Sequence, residues 1–398
     1  MLTIDKVYDA QNELRRVLRA TPLIQAPRFS IDSNVYIKPE NLQVTGSFKV
    51  RGAYYKIAKL SDEDKKRGVI ACSAGNHAQG VALGSQVNKI KAKIFVPSTA
   101  PISKVEATKS YGAEVVLVDG IYDDAYAAAR EEAEKSGAVF VHPFDDEEII
   151  AGQGTIGLEI YQELSDAEAV VVPIGGGGLA SGVAMAIKTL NPRCKVYGVQ
   201  AAGAASMSES YHAKKILNCK TVRTFADGIA VKRPGDLTFE LCSKYLDDVV
   251  TVSDDEIATA ILMLLEGQKM IAEGAGATGL AAIRFGKLPI KGKKVVALVS
   301  GGNIDVTILS RVINRGLVTS GRRSELNLEL LDRPGELTRV SSIISGQGAN
   351  VVHVNHTRGN VNNDINACFL HVTMETRDFA HFEQICAVLR ESGYTVNL

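Results

Sequence analysis

Short apolar runs rich in β-branched residues alternate with helical patterns over most of this chain, and that alternation constrains its fold more than any other feature. The runs are GVIACSA, AKIFVPS, AEVVLVDG, AVFVHPF, AEAVVVPIGGGG, CKVYGVQ and KKVVALVSGGN, with helical patterns such as YDDAYAAAREEAEKSG between them. A strand that is apolar on both faces has to be covered on both. Strands of this kind alternating with helices therefore predict mostly parallel sheets layered between helices, an α/β fold. At 398 residues the chain exceeds what one core usually supports, so two or three domains are expected. Near residue 320 the pattern changes. After the basic, glycine-bearing linker NRGLVTSGRRSE come LNLELL, DRPGELTRVSSIISGQG, ANVVHVNHT, DINACFLHVTMET, DFAHFEQICAVLRESG and YTVNL. The order strand, helix, strand, strand, helix, strand predicts a small ferredoxin-like (βαββαβ) module.

Forty-five basic residues balance 45 acidic ones without a lysine-rich block, which argues against nucleic acid or an anionic membrane surface as the main partner. The six cysteines (Cys72, Cys194, Cys219, Cys242, Cys368 and Cys386) show no C-x-x-C pair and no histidine spacing suited to zinc. Reduced thiols in a cytoplasmic compartment are expected. MLTIDKVYDAQNELRRVLRA mixes acids with arginines and spaces Ile4, Val7, Leu14 and Leu18 helically. It reads as an amphipathic first helix, not as a signal or transit peptide. Residues 169–187 carry no charge, but Pro173 and four glycines interrupt them, so they cannot form one membrane-spanning helix.

In VVVPIGGGGLASGVAMAI a buried strand, the turn Gly175, Gly176, Gly177, Gly178 and a helix follow in series. Consecutive amides free of side chains can converge on one point, and the helix adds its positive end, so this turn suits a phosphate dianion. A tight turn also uses glycine for structural reasons, but rarely four in a row. Leu179 and Ala180 stand where a Walker loop needs lysine and a hydroxyl. The next strand ends at Gln200 instead of an acid, against a dinucleotide. A single small phosphorylated cofactor is left. In CSAGNHAQG, Ser73, Gly75, Asn76 and His77 stack donors at a second strand-to-helix turn that would hold a carboxylate; the plainer reading makes Ser73 or Asn76 a helix cap. VSGGN, with Ser300, closes the last strand of the larger body in the same manner. GSFKVRGA opens a small-residue helix at Lys49, and nothing local separates that lysine from a surface one.

Taken in order and spacing, SFKVRGA, SAGNHAQG, GGGGL, ADGIAVKRPG, EGAGA and SGGN resemble the pyridoxal-phosphate enzymes of the tryptophan-synthase-β-like fold (fold type II), and among these the threonine ammonia-lyases, or threonine dehydratases. The resemblance runs over nearly all of residues 1–318. It implies a large cofactor-binding domain from residues 1–45 and 146–318, a small domain from 46–145, a linker at 319–324 and the C-terminal module at 325–398. It implies pyridoxal 5'-phosphate bound covalently to Lys49, with Phe48 against the pyridine ring and Asn76 on the ring 3-oxygen. The backbone of Gly175 to Leu179 would hold the phosphate, and Ser300 would face the pyridine nitrogen. Substrate carboxylate would dock on Ser73, Ala74, Gly75, Asn76 and His77. Lys49 would take the Cα proton, its amine pKa brought from about 10.4 toward neutrality. Threonine would then give 2-oxobutanoate and ammonia, and serine pyruvate. A hydroxyl in place of a carboxylate at the pyridine nitrogen favours prompt loss of the β-hydroxyl. Glu273, in AEGAGATG, would orient substrate or the Lys49 amine, against the plainer role of capping the next helix. His142, His353 and His356 read as structural or surface residues.

Serine racemases of this fold carry a second serine where this chain has Ala74, and acidic metal ligands where it has Gln200 and AAGAAS. The resemblance therefore implies elimination over racemisation and no metal. The C-terminal module resembles an ACT domain. Its DRPGEL and GAN segments imply contacts to an amino-acid effector at Pro334, Gly335, Leu337 and Asn350, and pairing of chains into a homodimer or homotetramer. A purely structural dimerisation module is the alternative. Competing functions are a serine racemase, a dehydratase for serine or hydroxyaspartate, and a non-catalytic amino-acid sensor. The last is disfavoured by the presence of Lys49, Asn76, the glycine turn and Ser300 together.

Overall fold

The computed structural model describes residues 2–358 and 367–397, which divide into two compact units, Met1–Asp305 and Val306–Leu398. Every apolar run named above for the first unit is a strand, and the strands form two sheets. The larger has the order Ile24–Gln25, Asn34–Pro39, Lys294–Val299, Ala169–Pro173, Lys195–Ala201, Asp248–Val252. Its neighbours are parallel except for the first pair. The smaller, Glu114–Val118, Ala92–Pro97, Val69–Cys72, Val139–Phe140, is parallel throughout. The central strand Ala169–Pro173 is buried at every position, as a strand covered by helices on both faces must be.

Three strands escape a search for apolar runs: Ile24–Gln25, Asn34–Pro39 and Asp248–Val252. Asn34–Pro39 carries a lysine and a proline, which argue against a buried strand. Lys38 is nevertheless 1% exposed, because its ammonium pairs with Glu159 at 2.8 Å and Glu163 at 2.9 Å on the helix Glu147–Glu163. A buried charge is tolerated only when paired in this way.

The helix Glu147–Glu163 packs between Lys49–Ala58 and Gly178–Leu190 with almost no side chains at the crossings. A Cβ on Gly182 would stand 2.3 Å from the Ile150 carbonyl oxygen and 2.7 Å from the Gly154 amide; one on Gly152 would stand 2.6 Å from Gly52 Cα. Glycine inside a helix costs about 1 kcal/mol relative to alanine. Backbone-to-backbone packing offsets that cost here and draws two helices onto one partner, the one that begins with Lys49 and the one that follows the glycine turn.

The second unit is ferredoxin-like. Its antiparallel sheet runs Asn350–Arg358, Ala367–Glu375, Arg323–Leu331, Thr395–Asn397, with the first residues of DINACFLHVTMET outside the described residues. Burial alternates strictly along Arg323–Leu331. Leu326, Leu328 and Leu330 join Leu370, Val372 and Met374 in a core with residues of the helices Glu336–Gly346 and Phe379–Glu391. The helix Val306–Thr319, expected in the large domain, falls in this unit instead. It feeds directly into the first strand of the unit, and the Arg323 guanidinium donates back to Asn314 at 2.8 Å. Among the described residues no helix is long and apolar enough to cross a membrane.

The crossing of Glu147–Glu163 with Gly178–Leu190 leaves no room for a methyl group. Gly182→Ala should cost about 1–3 kcal/mol and lower the melting temperature in a thermal scan; an unchanged transition would contradict the close backbone contact.

Candidate active site

A cavity of about 850 Å³ opens in the first unit where three parallel strands end. The turns after Val69–Cys72, Ala169–Pro173 and Lys294–Val299 line it, as does the start of the helix Lys49–Ala58. Crevices outside the carboxyl ends of parallel strands are where α/β folds bind ligands, because loops and helix N-termini converge there.

The glycine turn is built for close backbone approach. Gly177 has φ +106°. A Cβ on Gly176 would meet the Phe144 ring at 2.5 Å, and one on Gly178 the Phe144 carbonyl oxygen at 2.8 Å. The turn is held from behind: the Thr238 hydroxyl donates to the Gly176 carbonyl at 2.6 Å, and Asp145 accepts from the amides of Asp236 at 3.1 Å and Thr238 at 3.0 Å. Among the described residues the amides from Gly175 to Leu179 donate to no acceptor. A row of unbonded amides at a helix N-terminus is chemically suited to the phosphate of a cofactor.

Lys49 is the first residue of its helix. Ser47 pairs with Gly301, and the Phe48 amide donates to the Ser300 carbonyl at 3.1 Å. This bridge brings Lys49 beside the end of Lys294–Val299 although some 250 residues separate them in sequence. The Lys49 ammonium donates to the Pro143 carbonyl at 2.9 Å and lies 5.4 Å from the Phe48 ring centre. Burial lowers its pKa to about 8, against the attraction of Glu273. Ser300 also lines the cavity, and among the described residues its hydroxyl makes no hydrogen bond.

Glu273 precedes the helix Gly274–Arg284 without capping it. Its carboxylate instead accepts from Asn76 Nδ2 at 2.7 Å. Burial, then the charge of Asp227, raises its pKa to about 7. Asn76 does not cap a helix either: Asn76–Val87 starts from Gly75 with no side-chain cap, and Ser73 Oγ accepts from the Gly75 amide at 3.2 Å. Ser73, Ala74, Gly75, Asn76 and His77 all line the cavity. The His77 ring is committed through Nε2 to the Val141 carbonyl at 2.9 Å, and burial together with Lys49 lowers its pKa to about 3, keeping it neutral. His142, read as structural, accepts through Nδ1 from the amides of Phe144 at 3.3 Å and Asp145 at 2.8 Å, and burial lowers its pKa to about 4. It also forms part of the cavity wall, with Pro143 and Phe144. Sequence reasoning named His142 without placing it at the site, and missed Pro143, Phe144 and Asp227. The only signal was the HPF tripeptide ending a strand.

In the second unit Leu337 and Asn350 line a cavity of about 490 Å³ between Glu336–Gly346 and Asn350–Arg358, and Pro334 and Gly335 lie outside its lining. Among the described residues one group, Asp332, His356 and Cys368, brings metal-ligating atoms within 4.8 Å of one another. Arg358 already pairs with that aspartate at 2.8 Å, which opposes a cation there.

A family model described as pyridoxal-phosphate dependent enzyme matches residues 14–301. An L-threonine ammonia-lyase of Thermotoga maritima is 51% identical over 400 residues, covering 100% of both chains. A catabolic L-threonine dehydratase of Escherichia coli is 45% identical over 315 residues, 78% of this chain and 96% of that one. Among solved structures, the processed form of threonine deaminase isoform 2 from Solanum lycopersicum has a TM-score of 0.73 at 40% identity, covering 78% of this chain and 94% of its own. Maize serine racemase has a TM-score of 0.75 at 34% identity, covering 80% and 98%. With its glycine cradle, half-buried lysine and matched sequence, the chain belongs to the pyridoxal-phosphate dependent enzyme family.

Proposed function

We infer that this chain is a pyridoxal-phosphate-dependent L-threonine ammonia-lyase that also accepts L-serine. It removes water across Cα and Cβ and, after hydrolysis, releases ammonia with 2-oxobutanoate or pyruvate. One observation carries the reading. A half-buried lysine of lowered pKa, a cradle of unbonded amides and a carboxylate-sized turn share one cavity, in a chain 51% identical over its whole length to an L-threonine ammonia-lyase.

When bound, pyridoxal phosphate supplies an electron sink that makes the Cα–H of an attached amino acid acidic. The chain's own residues do the rest. The amides of Gly175 to Leu179 would hold the phosphate, and Phe48, which also lines the cavity, would contact the ring. Ser300 would offer a neutral hydroxyl to the pyridine nitrogen, and Asn76 would offer its amide to the ring oxygen. The substrate carboxylate is received at the start of Asn76–Val87, where the helix amides have no intrahelical partner. Lys49 Nζ, desolvated and readily neutral, takes the Cα proton. Glu273 orients the amine and the substrate from beside Asn76.

Serine racemase is the competing reading, since the fold match to the maize enzyme does not separate the two. Ala74 favours elimination, because a methyl group cannot deliver a proton to the opposite face of Cα. The C-terminal unit is an ACT module that senses an amino acid, with Leu337 and Asn350 at its cavity as effector contacts and Pro334 and Gly335 in the turn before the helix. Such modules join chains into dimers or tetramers. Six free cysteines support a reducing compartment.

Borohydride reduction should fix the cofactor on the tryptic peptide containing Lys49. Lys49→Ala should lower 2-oxobutanoate formation from threonine by about a thousandfold or more; an undiminished rate would end this reading. Only the neutral amine is a nucleophile, so covalent capture of pyridoxal phosphate by the stripped protein should rise with pH through a midpoint near 8. A flat profile between about pH 7 and 9 would contradict the buried-amine argument. Ala74→Ser should raise the yield of D-serine from L-serine, measured by chiral chromatography, and an unchanged product ratio would count against the one-base scheme.

A further inference from the structure

The reaction above assigns Asn303 no task, and Asn303 is not in the cavity wall. Its surroundings nevertheless define a chain of polarity that starts at a backbone carbonyl and ends in the cavity. Thr45 has φ +68°, a conformation a β-branched residue adopts only where its surroundings force it. Its carbonyl, which can only accept, takes a hydrogen bond from Asn303 Nδ2 at 2.7 Å, and this settles which way the Asn303 amide points. The same nitrogen lies 2.7 Å from the Asn76 carboxamide. Two amide nitrogens cannot bond to each other, so Asn76 turns Oδ1 toward Asn303 and Nδ2 away from it, to Glu273 at 2.7 Å. The local backbone makes room for this arrangement. Gly46 has φ +70°, and a Cβ there would stand 2.5 Å from Asn303 Oδ1.

We propose that Asn303 is a positioning residue: it holds the Asn76 carboxamide with its NH₂ toward the cavity, so that a bound cofactor meets a donor and not an acceptor. The proposal rests on the reading that pyridoxal phosphate occupies the cavity. A carboxamide has two orientations of equal shape and opposite polarity. Nothing in Asn76 itself chooses between them, and Glu273 would accept from Asn76 only in the one that Asn303 dictates.

The test is a double-mutant cycle on cofactor affinity, read by titrating stripped protein with pyridoxal phosphate and following visible absorbance. In Asn303→Asp the new carboxylate cannot donate to Thr45 and attracts the Asn76 NH₂ away from the cavity. Affinity should fall about tenfold or more, and Asn76→Ala should lose a similar factor. With Asn76 already alanine, Asn303→Asp should add no further loss. Asn303→Ser, which adds no charge, should weaken binding in the same direction and keeps the cycle readable if the aspartate variant does not fold. In each of the three single variants the pH midpoint of the holoenzyme's visible band should move. Additive losses, or Asn303 variants with wild-type affinity and an unmoved midpoint, would overturn this role alone. Wild-type protein that takes up no pyridoxal phosphate would overturn the cofactor reading and the role with it.

Discussion

The guanidinium of Arg51 has no exposure to solvent, and the first unit is arranged around satisfying it. Nε and Nη2 donate to both oxygens of Glu40 at 2.8 Å; Nη1 and Nη2 donate to the two oxygens of Glu159 at 2.6 and 2.9 Å; Nη1 also reaches Thr155 Oγ1 at 2.9 Å. The Thr21 hydroxyl donates to Glu40, and Lys38 brings a second cation to Glu159. A buried ion is tolerated only when its hydrogen bonds are complete and its partners fixed. The network therefore ties the helix Lys49–Ala58 to the end of one sheet strand and to the helix Glu147–Glu163. Arg51 and Lys49 lie two residues apart on one helix, about 200° around its axis. The rotation that sends Arg51 into the acid pair turns Lys49 toward the cavity.

Packing without side chains completes the constraint. The contacts at Gly52, Gly152, Gly154 and Gly182 bring the helix bearing Lys49 and the helix that follows the glycine turn onto the same partner. The amine and the anion cradle are thereby held by one rigid stack. Both are fixed by packed helices, an arrangement suited to holding groups in place.

Desolvation then tunes the chemistry. Glu273 is buried and Lys49 half-buried at the cavity wall, and desolvation pushes them in opposite directions, the amine down to about 8 and the carboxyl up to about 7. Each therefore exchanges its proton near neutral pH, where a general base or acid is most effective. His77, buried, and His142, half-buried, are driven far below neutrality and held neutral by desolvation. Their backbone bonds make them walls of the cavity, so no imidazolium stands beside Lys49.

Sequence alone determined the strands that are apolar on both faces, the strand-to-helix turn of four glycines, the lysine at a helix start, and the βαββαβ order of the C-terminal unit. Each is a local pattern that period, residue size and turn chemistry make readable. Asn34–Pro39 was not legible, because a lysine and a proline hide a strand until Glu159 and Glu163 are seen beside it. The boundary after Asp305 was not legible either, since the helix beyond it has an ordinary amphipathic pattern that says nothing about which body it joins. Only the tertiary structure decided that Pro143 receives the lysine ammonium, that Phe144 backs the glycines, that Glu273 turns to Asn76 instead of capping its own helix, and that Asn303 donates to Asn76. Those facts depend on distances between residues far apart in the chain and on water being excluded around them, and neither has a local signature in the order of amino acids.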